Sequence, residues 1–329
     1  MTMKTRRFGR LGWRVGEVGY GMWGIAGGDG GWTGADDAEG MACLAQAASL
    51  GCDFYDTAWI YGRGHSERML ARHLAAHPGQ TLRVATKIAP ANRCWPSRRG
   101  DRFDDIYPAD YLRAAMEQSR SNLQQDQIDL MQFHVWEDDW IDDPAFHRAI
   151  EGWRAAGLVK GIGLSLNRWE PWNGIRAVES GAIDAVQVIY NIFDQSPEDA
   201  LLPACRQNDV AVIARVPFDE GTLTGTLRHD TRWPEGDWRN SYFVPENLIP
   251  SVNRAEALRP LVPAGETMAG LALRFILANP DIAVVIPGMR RRAHVSANLA
   301  SSGQPPLSAE QLAALKAHRW DREPTDWSQ

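Results

Sequence analysis

Residues 185–214 read AVQVIYNIFDQSPEDALLPACRQNDVAVIA. Two short apolar runs, 185–189 and 210–214, flank a segment at 197–207 whose composition suits a helix. The runs are continuously apolar rather than alternating, as expected of parallel strands covered on both faces. The same unit recurs along the chain. Apolar runs at 17–20, 52–55, 82–87, 128–133, 159–164 and 282–286 bring the strands to eight. Eight strand-helix units in 329 residues read as one (β/α)8 barrel over 1–329, an α/β fold of TIM-barrel type.

The intervening segments support helices. Asp36 and Glu39 have capping-box spacing, and Met41, Leu44, Ala45 and Ala48 follow helical spacing toward a core. A helix from 108 carries Leu112, Ala115, Met116 and Ser119 on one side. Another, 144–156, carries Phe146, Ile150 and Trp153 and meets Gly157 as its stop. Further helices are expected at 266–278 and, as an extra element outside the barrel, from Ser308. An open doubly wound sheet is the alternative. The first strand-to-helix turn, Gly21-Met22-Trp23-Gly24, lacks the G-x-G-x-x-G spacing, and GGDGGWTG at 27–34 is too long and irregular for a phosphate cradle. That stretch reads as a flexible loop.

Composition narrows the function. Hydrophobic residues make up 44% and charged residues 23%, ordinary for a globular enzyme, and the net charge of −6 argues against nucleic-acid binding. No apolar run approaches the ~20 residues of a membrane helix, and no apolar stretch follows the basic N-terminus as in a signal peptide. The four cysteines, Cys43, Cys52, Cys94 and Cys205, are scattered, so neither a disulfide framework nor a metal site is expected and the cytoplasm is the expected compartment. No heptad is visible, which leaves a monomer or a small homo-oligomer. Tryptophan is abundant, with 14 copies, and Trp23, Trp32, Trp59, Trp95, Trp136 and Trp140 fall in or beside loops. Three long loops, 88–107, 134–143 and 218–264, follow strands and so belong to the face where barrel active sites lie.

Four polar residues stand at or just past successive strand ends: Asp56 in FYDTA, Tyr61 in IYGRG, Lys87 in VATK and His134 in LMQFH. Singly, each has an ordinary structural explanation. In a closed barrel they converge on one mouth. A phenol is a poor acid at neutral pH, and a nearby Lys87 ammonium would lower its pKa. Asp56 would hold Lys87 charged. His134 would hydrogen-bond a carbonyl oxygen or tune Tyr61, and such a phenol can protonate an alkoxide as hydride arrives at carbon.

On these segments the chain resembles the aldo-keto reductase family over nearly its whole length. FYDTAWIYGRGHSE, VATKIAP and DLMQFHVW match the family's order and spacing. The resemblance implies Tyr61 as proton donor supported by Lys87, Asp56 and His134, and a nicotinamide cofactor extended across the barrel mouth, NADPH preferred and NADH also admitted. It implies cofactor contacts from Met22 and Trp23 and carboxamide contacts from Ser165, in GIGLSLNRWEP, and Gln187. Leu166 stands where the family usually has Asn, with Asn167 one step later. In IARVPFDEGTLTG, Arg215 takes a position often held by a stacking aromatic, and Pro217 follows. In VVIPGMRRRAHVSANLAS the resemblance assigns Gly288, Arg290, His294 and Asn298 to the adenosine end, with Arg290 as clamp for a 2′-phosphate. Trp23, Trp95 and Trp136 are expected to wall the pocket for a small carbonyl or alcohol substrate. Two other classes are weighed: a cofactor-sensing module without turnover, and a two-carboxylate glycosidase using acids such as Glu137 and Asp138, which leaves the Tyr-Lys-Asp-His set unexplained.

Overall fold

The computed structural model describes residues 3–27 and 32–324. Gly28–Gly31, half of the glycine-rich stretch, fall outside them. The chain opens with a hairpin, β1 (Thr5–Phe8) and β2 (Trp13–Gly16), paired antiparallel. Eight parallel strands follow: β3 (Tyr20–Gly21), β4 (Phe54–Asp56), β5 (Arg83–Ile88), β6 (Ile128–Phe133), β7 (Val159–Ser165), β8 (Ala185–Ile189), β9 (Ala211–Arg215) and β10 (Ile282–Val285). They neighbour one another in chain order. The ends meet through parallel bridges Val18↔Val285 and Gly21↔Gly288, with Gly19 N donating to Val285 O at 2.8 Å. The sheet therefore curls into a (β/α)8 barrel.

The hairpin was not anticipated. Its outward residues are basic, while Phe8 and Val15 point inward and plug the lower end against Phe54, Ala211 and Val284. Gly9 makes the approach: its φ is +45° and a Cβ there would lie 2.5 Å from Ala211 N. Arg6 ties the hairpin to the barrel by donating to Glu17 and to the carbonyls of Asn279 and Ile282.

Several expected elements shift for local reasons. The first strand shortens, because Glu17 is held below the barrel by Arg6 and Ser302. Helix Asp37–Ser49 is capped by Asp36, which accepts from Glu39 N; it buries Gly40, Cys43, Leu44 and Ala47, so of the expected face Leu44 is buried and Met41 packs partly against the core, while Ala45 is exposed and Ala48 half-buried. Its many alanines define no single stripe. The segment 197–207 splits into a 3-10 turn, Ser196–Glu198, and helix Leu201–Gln207. Pro203, which has no N–H, is tolerated in the first turn of the second piece. The 218–264 segment is not one loop. It holds helices Arg239–Tyr242 and Pro245–Leu258, the second starting on a proline and burying Leu248, Val252 and Ala255. Asp143 caps helix Pro144–Ala155, and Ser308 with Gln311 forms a complete capping box on helix Ala309–Lys316. No helix among the described residues is long and apolar enough to cross a membrane.

Candidate active site

Parallel strands of one barrel end on one face, and the polar residues at those ends meet there. Asp56 closes β4, Lys87 is the penultimate residue of β5, His134 follows β6, Ser165 closes β7 and Arg215 closes β9. Asp56, His134, Ser165 and Arg215 line a cleft of about 1530 Å³, with Lys87 buried beneath it. That exceeds what one small ligand needs and suits an extended ligand beside a smaller one.

Lys87 Nζ is the hub. It donates to Asp56 Oδ1 at 2.5 Å and Thr57 O at 2.9 Å, and lies 3.5 Å from Tyr61 Oη. Both charged side chains are buried, at 0% and 4% exposure. A buried ion pair holds only when its remaining hydrogen-bonding capacity is met. Asp56 Oδ2 meets it by accepting from Gln187 Nε2 at 2.7 Å and Gln132 Nε2 at 3.3 Å. Gln187, expected at the carboxamide, thus spends its amide N–H on Asp56 while still lining the cleft.

The His134 ring stands edge-on to Tyr61, centroids 6.1 Å apart, and edge-on to Trp95 at 5.7 Å. Burial, then the Lys87 and Arg215 charges, push the imidazole well below its ordinary pKa, so it is neutral. Its Nδ1 is buried with no partner among the described residues. An unsatisfied N–H costs more when buried than an idle lone pair, which favours the proton on Nε2. For Tyr61, burial raises the phenol above its ordinary value, while Lys87 and Arg215 pull it down and Asp56 pushes it up. Lys87 acts in the expected direction, but desolvation outweighs it.

Arg215 and Leu166 are coupled. Arg215 Nη2 donates to Leu166 O at 3.0 Å, and the Leu166 side chain turns into the core, leaving Asn167 to line the cleft. Asn167 Oδ1 accepts from Trp169 N at 3.0 Å. Met22, Trp23, Pro217, Gly288, Arg290, His294 and Asn298 also line the cleft. Arg290 donates to Thr33 O at 3.1 Å, and its guanidinium lies 5.0 Å from the Trp32 ring centroid.

Of the expected pocket walls, Trp23 and Trp95 stand at the cleft, Trp23 packing 6.4 Å from Tyr61. Trp136 also lines the cleft, but its ring packs toward the core. Its ring is 1% exposed, wedged among Phe133, Trp140 and Phe146 with a centroid distance of 5.0 Å to Phe146. The chain leaving β6 turns it inward. Trp140 likewise belongs to the core. The sequence reading missed Arg168, Trp169, Glu220 and Trp238, all cleft residues. Arg168 carried a usable signal, since NR follows the β7 end after only Leu166.

The donor set fits a nicotinamide dinucleotide. Arg215 Nε is buried without a partner. Ser165, His294 and Asn298 line the cleft, and their side chains make no hydrogen bond among the described residues. A Cβ on Gly288 would meet nothing within 4 Å, so backbone is open to close approach there.

A model of the Aldo/keto reductase family matches residues 17–319. The chain belongs to that family. It is 28% identical over 308 residues to the NADP(+) aldo-keto reductase yakc of Schizosaccharomyces pombe, covering 91% of this chain and 86% of that protein. It is 27% identical over 319 residues to the NADH-specific methylglyoxal reductase of Escherichia coli, covering 91% and 93%. The glycerol dehydrogenase AKR11B4 of Gluconobacter oxydans superposes with a TM-score of 0.76 at 25% identity, covering 99% of each chain. Membership in the aldo/keto reductase family makes the chain an oxidoreductase acting on carbonyl compounds.

Proposed function

We propose that the chain reduces an aldehyde or ketone to the alcohol with a bound nicotinamide nucleotide, Tyr61 supplying the proton. The observation that carries the reading is Lys87 Nζ held between Asp56 and Tyr61 at the floor of the cleft, with neutral His134 facing the same phenol. The nucleotide, when bound, supplies the hydride to the carbonyl carbon. His134, protonated on Nε2, orients the carbonyl oxygen by donating to it. Tyr61 Oη gives its proton to that oxygen as negative charge develops. Lys87 stabilises the phenolate left behind, and its ion pair with Asp56 holds the ammonium in place beside Tyr61.

Ser165, Asn167 and Gln187 support the carboxamide end, and Arg215, through its planar guanidinium, supports the ring. Arg290, with His294 and Asn298 beside it, supports a 2′-phosphate, so NADPH is the preferred nucleotide. The two relatives are named for different nucleotides, and this chain's preference rests on Arg290. Alcohol oxidation is the same chemistry reversed, with Tyr61 starting as phenolate.

The test is nucleotide consumption, followed by absorbance, with a panel of aldehydes, ketones and keto-sugars under NADPH or NADH. Turnover that depends on both carbonyl and nucleotide is expected. Tight NADPH binding with no turnover of any carbonyl or alcohol would replace the proposal with a cofactor-sensing role.

A further inference from the structure

Four residues in 216–221 have positive φ: Val216 (53°), Asp219 (46°), Glu220 (55°) and Gly221 (113°). Three of them are not glycine, and one is β-branched. Such backbone strain persists only where the surroundings enforce it, and it concentrates at ligand clamps.

The strain sends two adjacent carboxylates in opposite directions. Asp219 turns inward, fully buried, and accepts from Arg168 at 3.1 Å and Arg322 at 2.8 Å. Glu220 lines the cleft. Its carboxylate makes no hydrogen bond or ion pair among the described residues, although Arg168, Arg215 and Arg322 all lie near enough to act on its charge. Each guanidinium directs its terminal nitrogens elsewhere: Arg168 to Asp219 and to Tyr242 Oη at 2.8 Å, Arg322 to Asp194 and Asp219, and Arg215 to Leu166 O, while among the described residues the three Nε atoms have no partner. Two carboxylate oxygens are left as open acceptors in a partly desolvated cleft.

Burial raises the Glu220 carboxyl above its usual range and Asp219 adds to the rise, while Arg168, Arg215 and Arg322 favour its charge; in its ionised form it accepts only. It repels phosphates and carboxylates, and the surrounding guanidiniums repel an ammonium. What remains is a neutral donor. Adjacent hydroxyls offer two donors to the two oxygens. We infer that Glu220 is a specificity-determining residue that accepts hydrogen bonds from a vicinal diol of the ligand in the cleft. The inference rests on the carbonyl-reductase reading for the identity of that ligand, since the diol belongs either to a ribose of the nucleotide or to a polyhydroxylated carbonyl substrate.

Glu220→Gly and Glu220→Gln in the full chain test it. Glycine fits φ of 55° without strain, so that variant removes the carboxylate while favouring the native turn. Dissociation constants for NADPH and NADH are read by tryptophan fluorescence. The ratio of kcat/KM for glyceraldehyde over propanal is read by nucleotide consumption. A hydrogen bond to a charged group is worth about a ten- to hundred-fold effect. A ribose partner weakens both nucleotides together by that factor and leaves the ratio unchanged. A substrate partner lowers the ratio by that factor and leaves the nucleotide constants unchanged. Changes below about two-fold in both arms, or tighter nucleotide binding in Glu220→Gln, overturn the inference. If the wild-type chain binds nucleotide but reduces no carbonyl, the reductase reading fails, and the fluorescence arm alone decides Glu220. If it binds neither nucleotide, both fall.

Discussion

Replacing Asp56 by Asn removes one charge from a buried ion pair beside the cleft and leaves the other. Lys87 Nζ would keep Thr57 O and Tyr61 Oη as neighbours, but no anion. The new amide also conflicts with its surroundings, because Asp56 Oδ2 accepts from Gln187 and Gln132, both donors. Breaking a buried pair from one side costs about 3–5 kcal/mol. At about 2.1 cal/mol/K per residue, unfolding the 329-residue chain carries an entropy of roughly 0.7 kcal/mol/K. The expected drop in Tm is therefore about 4–7 °C. The double variant with Lys87→Met should be less destabilised than the two single changes added together, since it buries no unpaired charge. Differential scanning calorimetry on the four proteins measures both quantities. A Tm for Asp56→Asn within about 1 °C of wild type, or strictly additive changes, would refute the coupled pair.

Other consequences are equally open to measurement. Gly9→Ala places a methyl against the Ala211 and Asp209 backbone at a left-handed φ. It should cost about 2–5 kcal/mol while leaving kcat of the folded protein unchanged, because Gly9 sits at the barrel end away from the cleft; thermal melts and initial rates check this. Arg290→Ala should weaken NADPH by about ten-fold or more and NADH much less. Equal losses in fluorescence titrations would remove Arg290 as a phosphate clamp. Because burial raises the Tyr61 pKa, the protonated donor persists through neutral and mildly alkaline pH. Carbonyl reduction should stay flat there and fall only as pH rises through the elevated phenol pKa. Alcohol oxidation, which needs the phenolate, should rise over the same range in pH-rate profiles.

What could be read from the sequence follows from what each signal depends on. Strands such as Ile128–Phe133 and Ala185–Ile189 lie at their expected residues, because a strand buried on both faces writes a continuous apolar run. Asp56, Lys87 and His134 were found for the same reason: once the strands are placed, their C-terminal ends share one face. The hairpin was hidden, because its basic outward residues mask the Phe8 and Val15 alternation. The first helix was placed correctly but rotated, since alanine does not distinguish a buried face from an exposed one. That the Trp136 ring would pack inward from the cleft lining was not legible, because loop direction after β6 is set by the Phe133–Trp140–Phe146 cluster, a tertiary contact. Glu220 could not be singled out. Nothing in its identity announces a left-handed backbone, and its open carboxylate matters only because Asp219 takes the arginines.

The most direct test of the account is single turnover by Tyr61→Phe with saturating NADPH and a carbonyl that the wild type reduces. Phe preserves the ring packing against Trp23 and His134 and removes only Oη. The account predicts nucleotide affinity near that of the wild type and a rate lower by about 10²–10⁴-fold, the share a positioned acid supplies. Reduction at the wild-type rate, with nucleotide bound, would show that the proton comes from elsewhere and would contradict the assignment of Tyr61.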